Sequence, residues 1–139
     1  MTLSKAAFTV ALVVMLAPSV WAGETPEAAA QRSAEAWLKL VDGAKYEDAW
    51  RQAASAVKKA VTTEQWQQGV SAERHPLGKL LSRKLKTRLY TEQLPEAPSG
   101  KQVIIQFAAT FESKASAEEQ VTLVLDPDGT WRVWTYFIR

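Results

Sequence analysis

The chain has 139 residues and a mass of 15.4 kDa, enough for one domain and too short for two well-packed ones. Hydrophobic residues make up 47% and charged residues 23%, a globular composition that excludes a disordered or collagen-like chain. With no cysteine and a single histidine, His75, the composition excludes disulfides, thiolate metal sites, thiol nucleophiles and any centre built on several histidines.

The first 22 residues read as a secretory signal. Lys5 is the positive start, Ala6 to Ala17 is apolar but for Thr9, and Pro18-Ser19 breaks the run. Val20-Trp21-Ala22 is a small-neutral cleavage pattern, which places the cut between Ala22 and Gly23. Twelve residues at ~1.5 Å each reach ~18 Å, against a hydrocarbon core of ~30 Å, so the run is too short to span a membrane. The expectation is export, to the periplasm or beyond it, of a single α+β domain over residues 23–139. That domain carries 16 basic and 15 acidic residues, a balance that argues against a general nucleic-acid binder. The charge is uneven. Residues 58–91 hold eight basic groups against Glu64 and Glu73, while residues 92–139 hold four against seven acids.

Three helices are predicted next. Thr25-Pro26-Glu27 is a start signal, with a hydroxyl cap, proline at the first position and an acid near the positive end of the dipole. Ala30, Ala34, Trp37, Leu38 and Val41 follow at helical spacing, and Asp42-Gly43 ends the segment with glycine available for a left-handed turn. A second helix puts Tyr46, Ala49, Trp50, Ala53 and Val57 on one stripe, folded back on the first by a short join. The third starts at a capping box, Thr62 with Gln65, flanked by a hydrophobic staple of Val61 and Trp66. It should run to about Glu73, before Pro76 and Gly78, with Gly69 weakening its middle by ~1 kcal/mol relative to alanine.

The period then changes to two. Leu81, Leu85 and Leu89 fall on one face of a long strand, toward the helices, with Lys84, Lys86, Arg88 and Tyr90 on the other. Leu94 to Gly100 has loop chemistry. Val103 to Phe111 and Val121 to Leu125 give two more strands. Asp126-Pro127-Asp128-Gly129 turns the chain into a fourth, with Trp131, Val133 and Phe137 against Trp134, Tyr136 and Ile138. Short joins require antiparallel pairing. The predicted fold class is α+β, N-terminal helices covering one face of a curved four-stranded antiparallel sheet. The last strand, apolar on both faces, should lie centrally or have both sides covered.

Specific motifs run through these elements: Ala36-Trp37-Leu38 with Val41-Asp42, Tyr46 with Ala49-Trp50, Glu64-Gln65-Trp66, Pro76-Leu77-Gly78 and Ser82-Arg83. They continue with Leu94-Pro95 and Pro98, Gln106-Phe107 with Phe111, Asp128-Gly129-Thr130-Trp131-Arg132-Val133 and Tyr136-Phe137-Ile138-Arg139. Together they resemble an exported bacterial family catalogued as domain of unknown function 4019, over essentially all of residues 23–139. The resemblance implies a small secreted domain of the cone-shaped nuclear transport factor 2-like (cystatin-like) kind. It brings no established activity and no catalytic residues, and that wider fold serves isomerases, dehydratases and binding domains alike.

The candidate functional residues are therefore few. His75 before Pro76 suits a helix end, and Asp42 beside Gly43 suits a turn, so neither is assigned a catalytic role. Trp37, Trp50, Trp66 and Trp131 read as core, whereas Trp134, opposite Trp131, is free to line a groove or interface. Arg83 shares the inward parity of the leucines and needs a carboxylate such as Glu112, or a bulge that turns it outward. Lys84, Lys86 and Arg88 alternate on one face and should project together. The candidate ligand-binding set is thus Arg83, Lys84, Lys86, Arg88 and Trp134, with no catalytic residue, metal or cofactor. The reading is a non-catalytic binding domain that docks an anionic envelope component or an acidic protein. A cone-fold enzyme with a pocket between helices and sheet is the alternative, and a homodimer through the open sheet face is a third.

Overall fold

Helix α1 (Pro26–Asp42) begins as its sequence directs, with Thr25 Oγ1 accepting from the Ala28 N–H at 3.2 Å and Pro26 in the first turn. The protein is described here by a computed structural model covering residues 23–98 and 100–139, so the secretory leader predicted over residues 1–22 lies outside the described residues. Ala30, Ala34, Trp37, Leu38 and Val41 are the buried stripe of α1. The left-handed residue after the helix is Ala44 (φ 56°), not Gly43, whose φ is −83°. The chain reverses one residue later than predicted, because Lys45 N–H returns to the Leu40 carbonyl at 2.8 Å.

The single helix expected over residues 46–57 is two: α2 (Tyr46–Arg51) and α3 (Ser55–Ala60). Tertiary bonds break it. The Ala54 N–H donates to the Val133 carbonyl at 2.8 Å, and the Ser55 N–H and hydroxyl both donate to Asp126 Oδ2 at 3.1 and 2.8 Å. Helix α4 (Thr63–Arg74) carries the predicted capping box, Gln65 N–H to Thr62 Oγ1 at 3.2 Å and Thr62 N–H to Gln65 Oε1 at 3.0 Å. A short 3₁₀ turn, His75–Leu77, leads to Gly78. Gly78 has φ 72°, and a Cβ there would meet Glu112 Oε2 at 3.0 Å, so glycine is required twice over.

Four antiparallel strands follow in the spatial order β1 (Leu80–Thr91), β2 (Gln102–Phe111), β3 (Lys114–Leu125), β4 (Trp131–Ile138). The inner face carries Val103, Ile105, Phe107, Val121, Leu123 and Val133, packed against the α1 stripe as the main core. This is the α+β arrangement expected. Strand β4 is an edge rather than central, and both of its sides are covered. Helix α1 packs on the inner side, and Trp134 packs with Ala53, Ala54, Val57 and Val124 on the other. Register shifts interrupt the pairing, with the extra residue in β1 at Leu81 and at Lys86, in β3 between Lys114 and Ala117, and in β4 at Trp134. Each extra residue bends its strand and reverses which side chains face in.

Candidate functional site

The interior between helices and sheet is polar at one end. Arg83 on β1 donates from Nε to Glu119 Oε1 at 2.6 Å, and from Nη1 and Nη2 to Asp42 Oδ2 and Oδ1 at 2.8 and 3.0 Å. Arg74 at the end of α4 adds Nη2 to Asp42 Oδ1 at 3.3 Å and Nη1 to the Gly78 carbonyl at 2.5 Å, and stacks 4.5 Å over the Phe111 ring. Glu119 is wholly buried, and its second oxygen accepts from the Tyr136 hydroxyl at 2.6 Å. Two guanidinium groups thus meet two carboxylates, and the charges cancel. Burial and the adjacent Glu119 push the Tyr136 hydroxyl far above the usual tyrosine range, which fixes it as a neutral donor. The polar atoms of this network are directed at one another. Its arrangement stitches α1, α4, β1, β3 and β4 together, and the sharing of Asp42 between two arginines explains how its desolvation is offset.

Arg83 therefore finds its carboxylates in Asp42 and Glu119. Glu112, the partner expected from sequence, lies against Gly78. The sequence signal for Glu119 is the inward parity of Val121 and Leu123, which reaches it when run back by two residues. Strict alternation puts Tyr136 on the outer face with Trp134, whereas the structure has it inward. Trp134 is the extra residue of the β4 bulge, so Tyr136 and Ile138 return to the inner face, opposite Val121 and Glu119.

Strand β1 is where the strict alternation fails most. Leu80, Arg83, Leu85, Arg88 and Tyr90 lie opposite the inward residues Phe111, Ala109, Phe107, Ile105 and Val103. Leu81 and Leu89 are consequently not turned toward the helices. They are 62% and 59% exposed, and Leu85, inward but near the open edge, is 42% exposed. The basic residues do not project as one stripe either. Lys84 is on the outer face, Lys86 is the bulge residue and reaches Glu118 Oε2 at 2.8 Å, and Arg88 turns in to donate to Gln31 Oε1 on α1 at 2.8 Å. The Glu118 carboxyl is held below the usual range by Lys86. Lys79 and Lys84 make no ion pair among the described residues. Trp134 is half-buried under Ala53, Ala54 and Val57, away from β1, so the five candidate residues occupy three separate places.

Two grooves flank β4. One, of about 290 Å³, lies between Ser33, Trp37, Gln52 and Trp131. The other, of about 270 Å³, runs between α4 and β4 past Trp66, Gly69, Glu73 and Tyr136. Gly69 has nothing within 4 Å of its Cβ position, so open space rather than a close approach surrounds it. Among the described residues no group of three or more His, Asp or Glu is placed to hold a metal.

The family model described as protein of unknown function (DUF4019) matches residues 33–136, from the middle of α1 to the half-buried Tyr136. The chain belongs to this family. The match takes in Asp42, Arg74, Arg83, Glu119 and Tyr136, so the whole interior network lies within the family's domain. No curated protein matches the chain.

Proposed function

We propose that this member of the family is an exported, non-catalytic binding domain of the nuclear transport factor 2-like cone kind, and that β1 is its docking surface for an anionic partner. The observation that carries the reading is the make-up of β1. The large exposed hydrophobics among the described residues, Leu81, Leu85 and Leu89, all lie on this strand. The strand holds no acid, and with Arg83 and Arg88 turned inward its outward charges are Lys84 and Lys86, with Lys79 immediately before. Beside β1 the middle of the outer face carries a polar row. Thr87 donates to Gln106 Oε1 at 2.9 Å and Gln106 Nε2 donates to Gln120 Oε1 at 3.1 Å, a row that offers little to an apolar partner. Exposed apolar groups gathered along one edge strand offer an interaction surface, and the cations beside them select for negative charge. The closed interior network supports the non-catalytic part, because its donors and acceptors satisfy each other. The bends at four register shifts support the cone shape.

The test is retention of the mature protein on a poly-L-glutamate column across a salt gradient. The parent should be retained and should elute as salt rises, since exposed charges are screened over ~8 Å at physiological ionic strength. A Lys79→Glu/Lys84→Glu/Lys86→Glu variant with parent-like circular dichroism should pass through. Equal, salt-insensitive behaviour of the two would overturn the reading.

A further inference from the structure

The two edges of the sheet are treated differently. On the β4 edge the Ala54 N–H bonds the Val133 carbonyl, while along the outer side of β1, twelve residues long, no strand or helix is bonded among the described residues. The direction of its backbone groups follows from the ladder. In an antiparallel pair a residue's own N–H and C=O go to the same side, alternating along the strand. The Glu112 N–H bonds the Lys79 carbonyl at 2.9 Å, so Leu80 and Phe111 face each other without exchanging bonds. At the far end the Leu125 N–H bonds the Lys101 carbonyl at 3.0 Å, so Gln102 and Val124 likewise exchange none. Gln102, Ile104 and Gln106 therefore bond β1, while Val103, Ile105 and Phe107 bond β3. Their β1 partners Tyr90, Arg88 and Leu85 are left with N–H and C=O pointing off the sheet.

We infer that this edge accepts an extended acidic peptide segment as a fifth, antiparallel strand, a proposal that rests on the docking role of β1 given above. Outward donors and acceptors supply the ladder, exposed Leu81 and Leu89 supply apolar contact beside it, and Lys79 and Lys84 select acidic side chains. Lysines and bulges on an edge commonly guard against self-pairing, and here they do so: two copies joined along β1 would set cation against cation. The same charges leave an acidic strand welcome. A flat anionic membrane fits less well, because the bulge at Lys86 sends Arg88 to the opposite face from Lys84.

The experiment measures anisotropy of a labelled decapeptide of alternating Glu and Val against the mature protein. Two isomers are compared with it, one N-methylated at every Val and the other at every Glu. Charge and side chains are unchanged between isomers, but each loses the donors of one edge. Strand addition predicts that one isomer binds roughly tenfold or more weakly than the other, through lost ladder bonds. Leu85→Pro, in which the N–H lost points off the sheet, should weaken binding further than Leu85→Ala, the control for the lost side chain, with both variants melting alike. If the charge-reversed variant loses binding but the isomers and Leu85→Pro behave like their controls, strand addition is overturned and the anionic docking role stands. Binding to phosphatidylglycerol vesicles without binding to the peptide identifies a membrane partner and also overturns strand addition. No binding to either overturns both readings, and a dimer that buries β1 assigns the edge to a second copy instead.

Discussion

Replacing Arg83 with methionine tests whether the interior network holds the fold together. The guanidinium makes three bonds of 2.6–3.0 Å to two carboxylates, and its side chain is 12% exposed. Asp42 would keep Arg74, but Glu119, with no exposure at all, would be left with the Tyr136 hydroxyl alone. Removing one partner of a buried ion pair costs about 3–5 kcal/mol, because the other charge stays desolvated and unpaired. Against a domain stability of about 5–15 kcal/mol, that is a large part of the whole. Urea unfolding followed by circular dichroism measures it. Arg83→Met/Glu119→Gln should recover about 1–3 kcal/mol of the loss, since the orphaned charge has gone and the tyrosine keeps an acceptor. A loss below about 1 kcal/mol for Arg83→Met, or a double variant as unstable as the two single losses added, would refute the argument that paired burial is what the network provides.

Tyr136→Phe should flatten the alkaline limb of stability. The folded tyrosine titrates above its unfolded value of about 10, so the folded state holds more protons there and stability falls as pH rises beyond about 10; the parent-minus-variant difference in melting temperature should shrink from that point upward. Ala44→Gly should stabilise the domain by about 0.5–1 kcal/mol in urea unfolding, since alanine now sits at φ 56°. Trp37→Ala should cost about 3–5 kcal/mol, as Trp37 is buried, donates to the Ala49 carbonyl at 2.9 Å and packs edge-on against Trp66 and Tyr136. Intact-mass analysis of exported protein should give a chain starting at Gly23, and a mass retaining residues 1–22 would refute the leader.

Caps and helical stripes were legible because they are local. Thr25, the Thr62–Gln65 box and the inward stripe of α1 form as written. Strand faces are legible only between bulges, because a single extra residue reverses the parity of everything after it, and in β1 the extra residues are Leu81 and Lys86. Arg83 and Leu85, which lie between the two, face as strict alternation predicts, while Arg88, Leu89 and Tyr90, beyond Lys86, face the opposite way. The same effect at Trp134 hid Tyr136 from the interior. The break between α2 and α3 was not legible because its causes, Val133 and Asp126, lie over seventy residues away in the chain. Arg83 could be recognised as a residue that needs a carboxylate, but which one depends on how α1 and β3 come together, and that is set by packing.

The most direct test of docking at β1 is a nuclear magnetic resonance titration of residues 23–139 with the alternating Glu–Val decapeptide. The largest amide shifts should fall between Leu81 and Thr91, and the Leu85, Arg88 and Tyr90 amides should exchange more slowly with solvent once the peptide is bound. Shifts centred instead on Trp66, Gly69 and Tyr136, with the β1 amides unchanged, would contradict it and move the binding site to the groove between α4 and β4.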